Sequence, residues 1–131
     1  FDEKVAPFID GERVKYIGPV GPEGKSRVLG QALALLHLIN FDEPFGLSII
    51  ESMACGTPVI AFNRGSMPEL IENGKSGFLV NNVDEAIETV ARIKEIDRAY
   101  CRLHVERHFT VDRMVNEYMQ VYERILDFER L

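Results

Sequence analysis

Phe41-Asp42-Glu43-Pro44-Phe45-Gly46-Leu47-Ser48-Ile49-Ile50-Glu51-Ser52-Met53-Ala54-Cys55-Gly56-Thr57-Pro58-Val59-Ile60-Ala61 is the stretch whose reading decides the fold. It predicts a tight loop over 40–45, a helix from Gly46 to a stop at Gly56, and a strand over 57–62. Leu47, Ile49, Ile50, Met53 and Ala54 make this helix apolar nearly all round, which predicts deep packing. Ser48, Glu51 and Ser52 lie at i, i+3 and i+4 and form one narrow polar stripe. A strand, a glycine-bearing loop and a helix in that order is where α/β proteins hold phosphorylated ligands.

The flanks extend the pattern in both directions. Upstream, the apolar run over 33–39, broken only by His37, predicts a strand buried on both faces. Before it come a helix over 25–32, a Gly/Pro loop over 18–24, a short strand over 14–17 and a short helix ending near Asp10. Downstream, Asn63-Arg64-Gly65 turns the chain, and Ser66-Met67-Pro68-Glu69 reads as a capping box opening a helix through Glu72. A turn over 73–77 leads to a strand over 78–80. Asn82 caps a helix to about Ile96, and Asp97 caps another that ends before Phe109. Thr110 caps the last, apolar at Met114, Tyr118, Val121, Tyr122 and Ile125. The alternation predicts the α/β class, with a parallel, doubly wound, Rossmann-like sheet. Three closing helices cover the sheet or reach towards a partner.

Composition sets the outer bounds. The 131 residues fit one domain, and 46% hydrophobic with 27% charged residues is ordinary for a globular protein. A net charge of -6 without a basic cluster argues against a nucleic-acid surface. Two cysteines, Cys55 and Cys101, are too few for a disulfide framework and fit a reducing cytoplasm. No apolar run approaches the roughly 18 residues of a membrane span. Any membrane association would have to come from regions outside this chain.

Each candidate site has a functional and a plain structural reading. A phosphate fits against the amides of Phe45, Gly46 and Leu47, where the helix dipole favours negative charge. Pro44 and Gly46 would also suit a simple strand-to-helix turn. Glu51 can accept two hydrogen bonds from a ribose diol, or be satisfied by serine, backbone or arginine donors. Glu43 can hold sugar hydroxyls or stabilise a developing oxocarbenium charge, or be a solvated loop acid. Lys25 is within reach of a base or phosphate, against a default of surface lysine. Arg64 and Lys75 read as solvent-facing. Cys101, His104 and His108 share a helix face, which raises zinc, but no fourth ligand is evident. Hydrolase chemistry is disfavoured, because Ser48 and Ser52 lack a His/Asp pairing and no G-x-S-x-G elbow is present.

The strings Glu43-Pro44-Phe45-Gly46-Leu47, 51–61, Gly65-Ser66-Met67-Pro68-Glu69 and 74–80, taken in register, resemble the group 1 retaining glycosyltransferases of GT-B fold. The resemblance runs from about Val14 to Val80 and more loosely into the last helix. It implies transfer of a sugar from a UDP-, GDP- or ADP-sugar donor to an acceptor, with retention and without a metal cofactor. Glu43 would hold donor-sugar hydroxyls as the catalytic-site acid, and Glu51 the ribose diol. The amides of Phe45, Gly46 and Leu47 would face the distal phosphate and sugar. Val20, through its backbone, and Lys25 match positions near the nucleobase.

The resemblance covers only most of a C-terminal donor domain. The N-terminal acceptor domain, and the arginine and lysine that neutralise the donor diphosphate, have no counterpart here. The chain is therefore read as one nucleotide-sugar-binding domain, truncated at its N-terminus and inactive alone. The alternatives are a non-catalytic nucleotide-sugar-binding module and a relative of the glycogen or sucrose synthases.

Overall fold

The computed structural model describes residues 1–128. Its centre is a parallel sheet in the order β1 (Leu35–His37), β2 (Val59–Phe62), β3 (Gly77–Val80). Leu35 pairs with Val59, and Val59 in turn with Gly77. Six α-helices complete the fold: α1 (Pro22–Gln31), α2 (Leu47–Ala54), α3 (Met67–Leu70), α4 (Val83–Arg92), α5 (Arg98–His108) and α6 (Val111–Phe128). Parallel neighbours need a crossover, and α2 and α3 supply the two that the sheet requires. The α/β class and parallel sheet agree with the sequence reading.

The core is one cluster. Val59, Ile60 and Ala61 of β2 are fully buried, as are Ile49 and Met53 of α2. Met67, Leu70, Ile71, Phe78, Val80, Ala86, Ile93, Ile96, Cys101 and Val105 complete it. The helix α5 packs along α2 and closes that side. Asn82 Oδ1 accepts the Glu85 amide at 2.9 Å, and Asp97 Oδ1 accepts that of Ala99 at 2.9 Å, so both predicted N-caps form. Thr110 Oγ1 accepts from the Arg113 amide at 3.3 Å as α6 begins.

Several expectations are corrected. Residues 14–17 form no strand, and Val14, Tyr16 and Ile17 are exposed. A strand needs a partner for its backbone groups, and none lies beside this segment among the described residues. The Val14 carbonyl instead accepts from the Asp10 and Gly11 amides. Asp10 Oδ1 accepts from Glu12, Arg13 and Val14, which holds its carboxyl below the usual range. The short helix before Asp10 is a single 3-10 turn over Ala6–Phe8.

Helix α1 starts three residues earlier than predicted, because Pro22 suits the first helical position. The strand β1 is an edge strand, and Leu36 is 57% exposed rather than buried on both faces. The helix predicted to run to Ile96 ends at Arg92, and a 3-10 turn over Ile93–Glu95 follows. Helix α6 buries no residue among those described, so it does not cover the sheet.

Two polar groups are resolved by the packing. Cys101 is fully buried, its thiol is directed at the Ser76 carbonyl at 3.4 Å, and burial pushes its pKa up to about 11. His104 Nε2 lies 2.9 Å from the Leu70 carbonyl. The His104 and His108 rings lie 5.0 Å apart while the Cys101 thiol is directed elsewhere, and no group of three metal-ligating side chains converges among the described residues. Beside them, Glu72 accepts from Lys75 and from the Tyr100 hydroxyl, each at 2.5 Å. The lysine and then the tyrosine hold the Glu72 carboxyl below its ordinary value of 4.5.

Cys55 is partly accessible and Cys101 is buried. Iodoacetamide at mildly alkaline pH should therefore add one adduct to the native chain and a second only after unfolding, as read by intact mass. For Glu72, the folded state binds its proton less readily than the unfolded chain. Its contribution is present above pH 4.5 and lost as pH falls through the lower folded value. Glu72→Gln should therefore flatten the acid limb of a plot of urea midpoint against pH.

Candidate functional site

The site is built at the C-terminal end of β1, where the chain turns into α2. Gly46 caps the start of helix α2, and its φ of 97° is left-handed. A side chain there would be strained, and its Cβ would sit 3.1 Å from both Ile49 and Met67. The Gly46 carbonyl accepts the Ile49 amide at 3.0 Å. The amides of Phe45, Gly46, Leu47 and Ser48 have no hydrogen-bond partner among the described residues. Four free donors at a helix start are the kind of donor set an anion can use.

Glu43 lies just before that surface and is half-buried. Its carboxylate makes no hydrogen bond or ion pair among the described residues, whereas its backbone is held. The Glu43 carbonyl accepts the Ser66 amide at 2.9 Å, and the Phe45 carbonyl accepts the Ser66 hydroxyl at 2.6 Å. The predicted capping box is therefore not formed: Ser66 precedes α3 without capping it and spends its hydroxyl on the loop across from it. Arg64, expected to face solvent, places Nε 2.9 Å from Asp42 Oδ1.

One turn along α2, Glu51 Oε1 accepts from Lys25 Nζ at 2.5 Å. Their side chains are 41% and 44% exposed, so solvent screens this pair and it is worth at most about 1 kcal/mol of stability. Its importance is geometric, since it brings α1 and α2 together at their polar faces. Val20 lies in the loop entering α1, and a Cβ at Gly24 would come within 3.0 Å of its Cγ1. The structure thus gathers Val20 and Lys25 on the α1 side with Glu51, and Glu43, Phe45, Gly46 and Leu47 at the start of α2.

The polar stripe of α2 is only partly as predicted. Ser52 is fully buried, with its hydroxyl donating to the Thr57 carbonyl at 3.1 Å. Leu47, expected to pack, is 68% exposed beside the free amides. A buried hydroxyl is tolerated when satisfied, and an exposed leucine at a ligand surface lowers no packing term.

Residues outside the predicted set fix this geometry. Arg98 donates to the Ala32 and Gly30 carbonyls, each at 2.8 Å, and to Thr57 Oγ1 at 2.8 Å. Thr57 Oγ1 in turn donates to the Leu29 carbonyl at 2.6 Å. Together they tie the C-terminal end of α1, and hence Lys25, to the turn after α2. No local sequence signal links Arg98 to Gly30, because the contact spans 68 positions.

Residues 10–103 match the model of the family described as glycosyl transferases group 1. A probable sucrose-phosphate synthase of Thermosipho melanesiensis is 39% identical over 95 residues, covering 69% of this chain and 22% of its own length. Spore coat protein SA of Bacillus subtilis is 27% identical over 122 residues, covering 86% of this chain and 32% of its own.

Among solved structures, the sucrose-phosphate synthase of Thermosynechococcus elongatus aligns with a TM-score of 0.72 at 28% identity, over 89% of this chain and 31% of that one. Anabaena HepE in complex with UDP and glucose aligns with a TM-score of 0.71 at 24% identity, over 86% and 32%. The chain therefore spans no more than about a third of the length of these relatives. Over the part it spans, the parallel sheet and the long last helix are those of a GT-B C-terminal domain, and the chain belongs to the group 1 glycosyltransferases.

Proposed function

We propose that this chain is the donor-binding domain of a retaining glycosyltransferase, one part of a larger protein. The single observation carrying this reading is the start of α2: four unpartnered amides flanked by the unpaired Glu43 carboxylate and by Glu51. Free amides suit a phosphate, and two carboxylates suit hydroxyls. A nucleotide sugar carries both, with a diol at each end of a diphosphate.

In this reading Glu43 accepts hydrogen bonds from the donor sugar, and the amides of Phe45, Gly46 and Leu47 take the distal phosphate. Glu51 accepts the ribose diol, sharing its carboxylate with Lys25, and the Val20 backbone lies by the base. During transfer the anomeric C–O bond to the diphosphate breaks, a C–O bond to the acceptor oxygen forms, and the nucleoside diphosphate departs with the proton lost by the acceptor hydroxyl. Glu43, beside the anomeric centre, would stabilise positive charge developing there. We assign no metal to this site. A second wall must position the acceptor, so the chain alone is not expected to turn over.

UDP-glucose is the first donor to test, because the HepE structures include complexes with UDP and with UDP-glucose. The match to two sucrose-phosphate synthases favours one narrower reading, a synthase-type enzyme, which product analysis with the complete protein would separate.

Titration by NMR with UDP-, GDP- and ADP-glucose should show one preferred donor. Glu51→Ala should weaken it by about tenfold or more, the scale of losing hydrogen bonds to a charged acceptor. Equal binding by that variant removes the ribose role. Lys25→Met should bind several-fold more weakly and with a shallower dependence on salt, because the cation nearest the donor is gone.

A further inference from the structure

We infer that the Arg64-Gly65-Ser66 turn is a positioning clamp for Glu43, fixing its backbone so that its free carboxylate meets the sugar of the donor. The inference rests on the donor-binding reading above and adds a set of residues to it.

Three successive residues of the turn engage the loop that carries Glu43. Arg64 Nε pairs with Asp42 Oδ1 at 2.9 Å. Gly65 brings its backbone so close that a Cβ would lie 2.7 Å from both the nitrogen and the carbonyl oxygen of Glu43. Ser66 donates its amide to the Glu43 carbonyl and its hydroxyl to the Phe45 carbonyl. Every one of these contacts stops short of the Glu43 carboxylate.

The turn is itself anchored. The Asn63 amide donates to the Val80 carbonyl at 2.8 Å, continuing the pairing of β2 with β3. Met67 and Leu70, which follow the turn, are buried and lie under Gly46. The loop is thus held between the sheet and α3, with a buried serine as its main tie. A purely structural turn would need to close the chain there, but not to hold both carbonyls that flank Pro44. Holding them fixes the backbone on either side of that residue, and with it the bond by which the Glu43 side chain leaves the loop and the direction of the free amides that follow.

The test compares Ser66→Ala, Ser66→Thr and Glu43→Ala, with UDP and UDP-glucose as probes and 15N relaxation on the ligand-free chain. In the free chain, Ser66→Ala should lower the order parameters of residues 42–47, and Ser66→Thr, which keeps a hydroxyl, should restore them. Unchanged order parameters overturn the clamp.

In the titrations, Ser66→Ala should remove most of the advantage of UDP-glucose over UDP, with UDP itself weakened by a smaller factor because the same loop carries the amides for the distal phosphate. Glu43→Ala should do the same. If Glu43→Ala keeps the sugar advantage, or the wild type has none, the assignment of Glu43 to the sugar fails and the clamp's role fails with it. If Glu43→Ala loses the advantage and Ser66→Ala keeps it, the clamp alone is overturned. Should Ser66→Ala fail to fold, Arg64→Ala removes the exposed tie, and a smaller loosening in the same direction is expected.

Discussion

Burial of one face of α2 is the constraint on which the site depends. Ile49 and Met53 are fully excluded from solvent, in a helix held against β1, β2 and α5. Each such side chain stabilises the fold by about 1.5–3 kcal/mol. Two of them one turn apart prevent the helix from sliding or rotating. The position of Gly46 and of the amides before Ile49 is then settled by packing, without any contact to a ligand. Ser52 is on the same buried side and is made harmless by the Thr57 carbonyl. The polar work of the helix therefore falls to its first turn and to Glu51.

The charge balance around that turn is unusual for an anion site. Two carboxylates flank the amides, and the chain carries a net charge of -6. A helix N-terminus offers an anion roughly 0.3–1 kcal/mol, and about 2 kcal/mol in favourable geometry. Of the nearby cations, Lys25 is engaged with Glu51 and Arg64 with Asp42. Hydroxyl-rich ligand ends suit this surface better than a bare diphosphate does. That imbalance is consistent with the proposed reading, in which the neutralising cations come from another part of the protein.

Most of the framework was legible because it depends on local signals. Gly46 and Gly56 mark the ends of α2, Asn82 and Asp97 cap their helices, and β2 reads as an apolar run; each is decided within a few residues. The misread positions depend on distant partners. Val14–Ile17 has the composition of a strand and lacks a strand to pair with among the described residues. Ser66 has the spacing of a capping box, yet its hydroxyl finds a better acceptor at Phe45, across the turn. Ser52 belongs to a polar stripe by periodicity and to the core by tertiary packing. The pairing of Lys25 with Glu51 has no local signature either, since 26 positions separate them. Arg98 carries no local signal, because its acceptors lie 41 to 68 positions away.

The two glutamates are held in opposite ways, and this bears on what each can do. Glu43 has a fixed backbone and an unpaired carboxylate, so much of the entropy of ordering its loop is already lost on folding. A ligand hydroxyl meets an acceptor whose backbone needs no rearrangement, so only the Glu43 side chain remains to be ordered on binding. Glu51 sits on a rigid helix with one carboxylate oxygen already engaged by Lys25. A diol arriving there must share that oxygen or use the other, and any exchange of partners reduces the net gain. Glu51 is thus suited to recognising the unreactive end of a donor, where modest affinity suffices. Glu43 is suited to the end where orientation decides the chemistry.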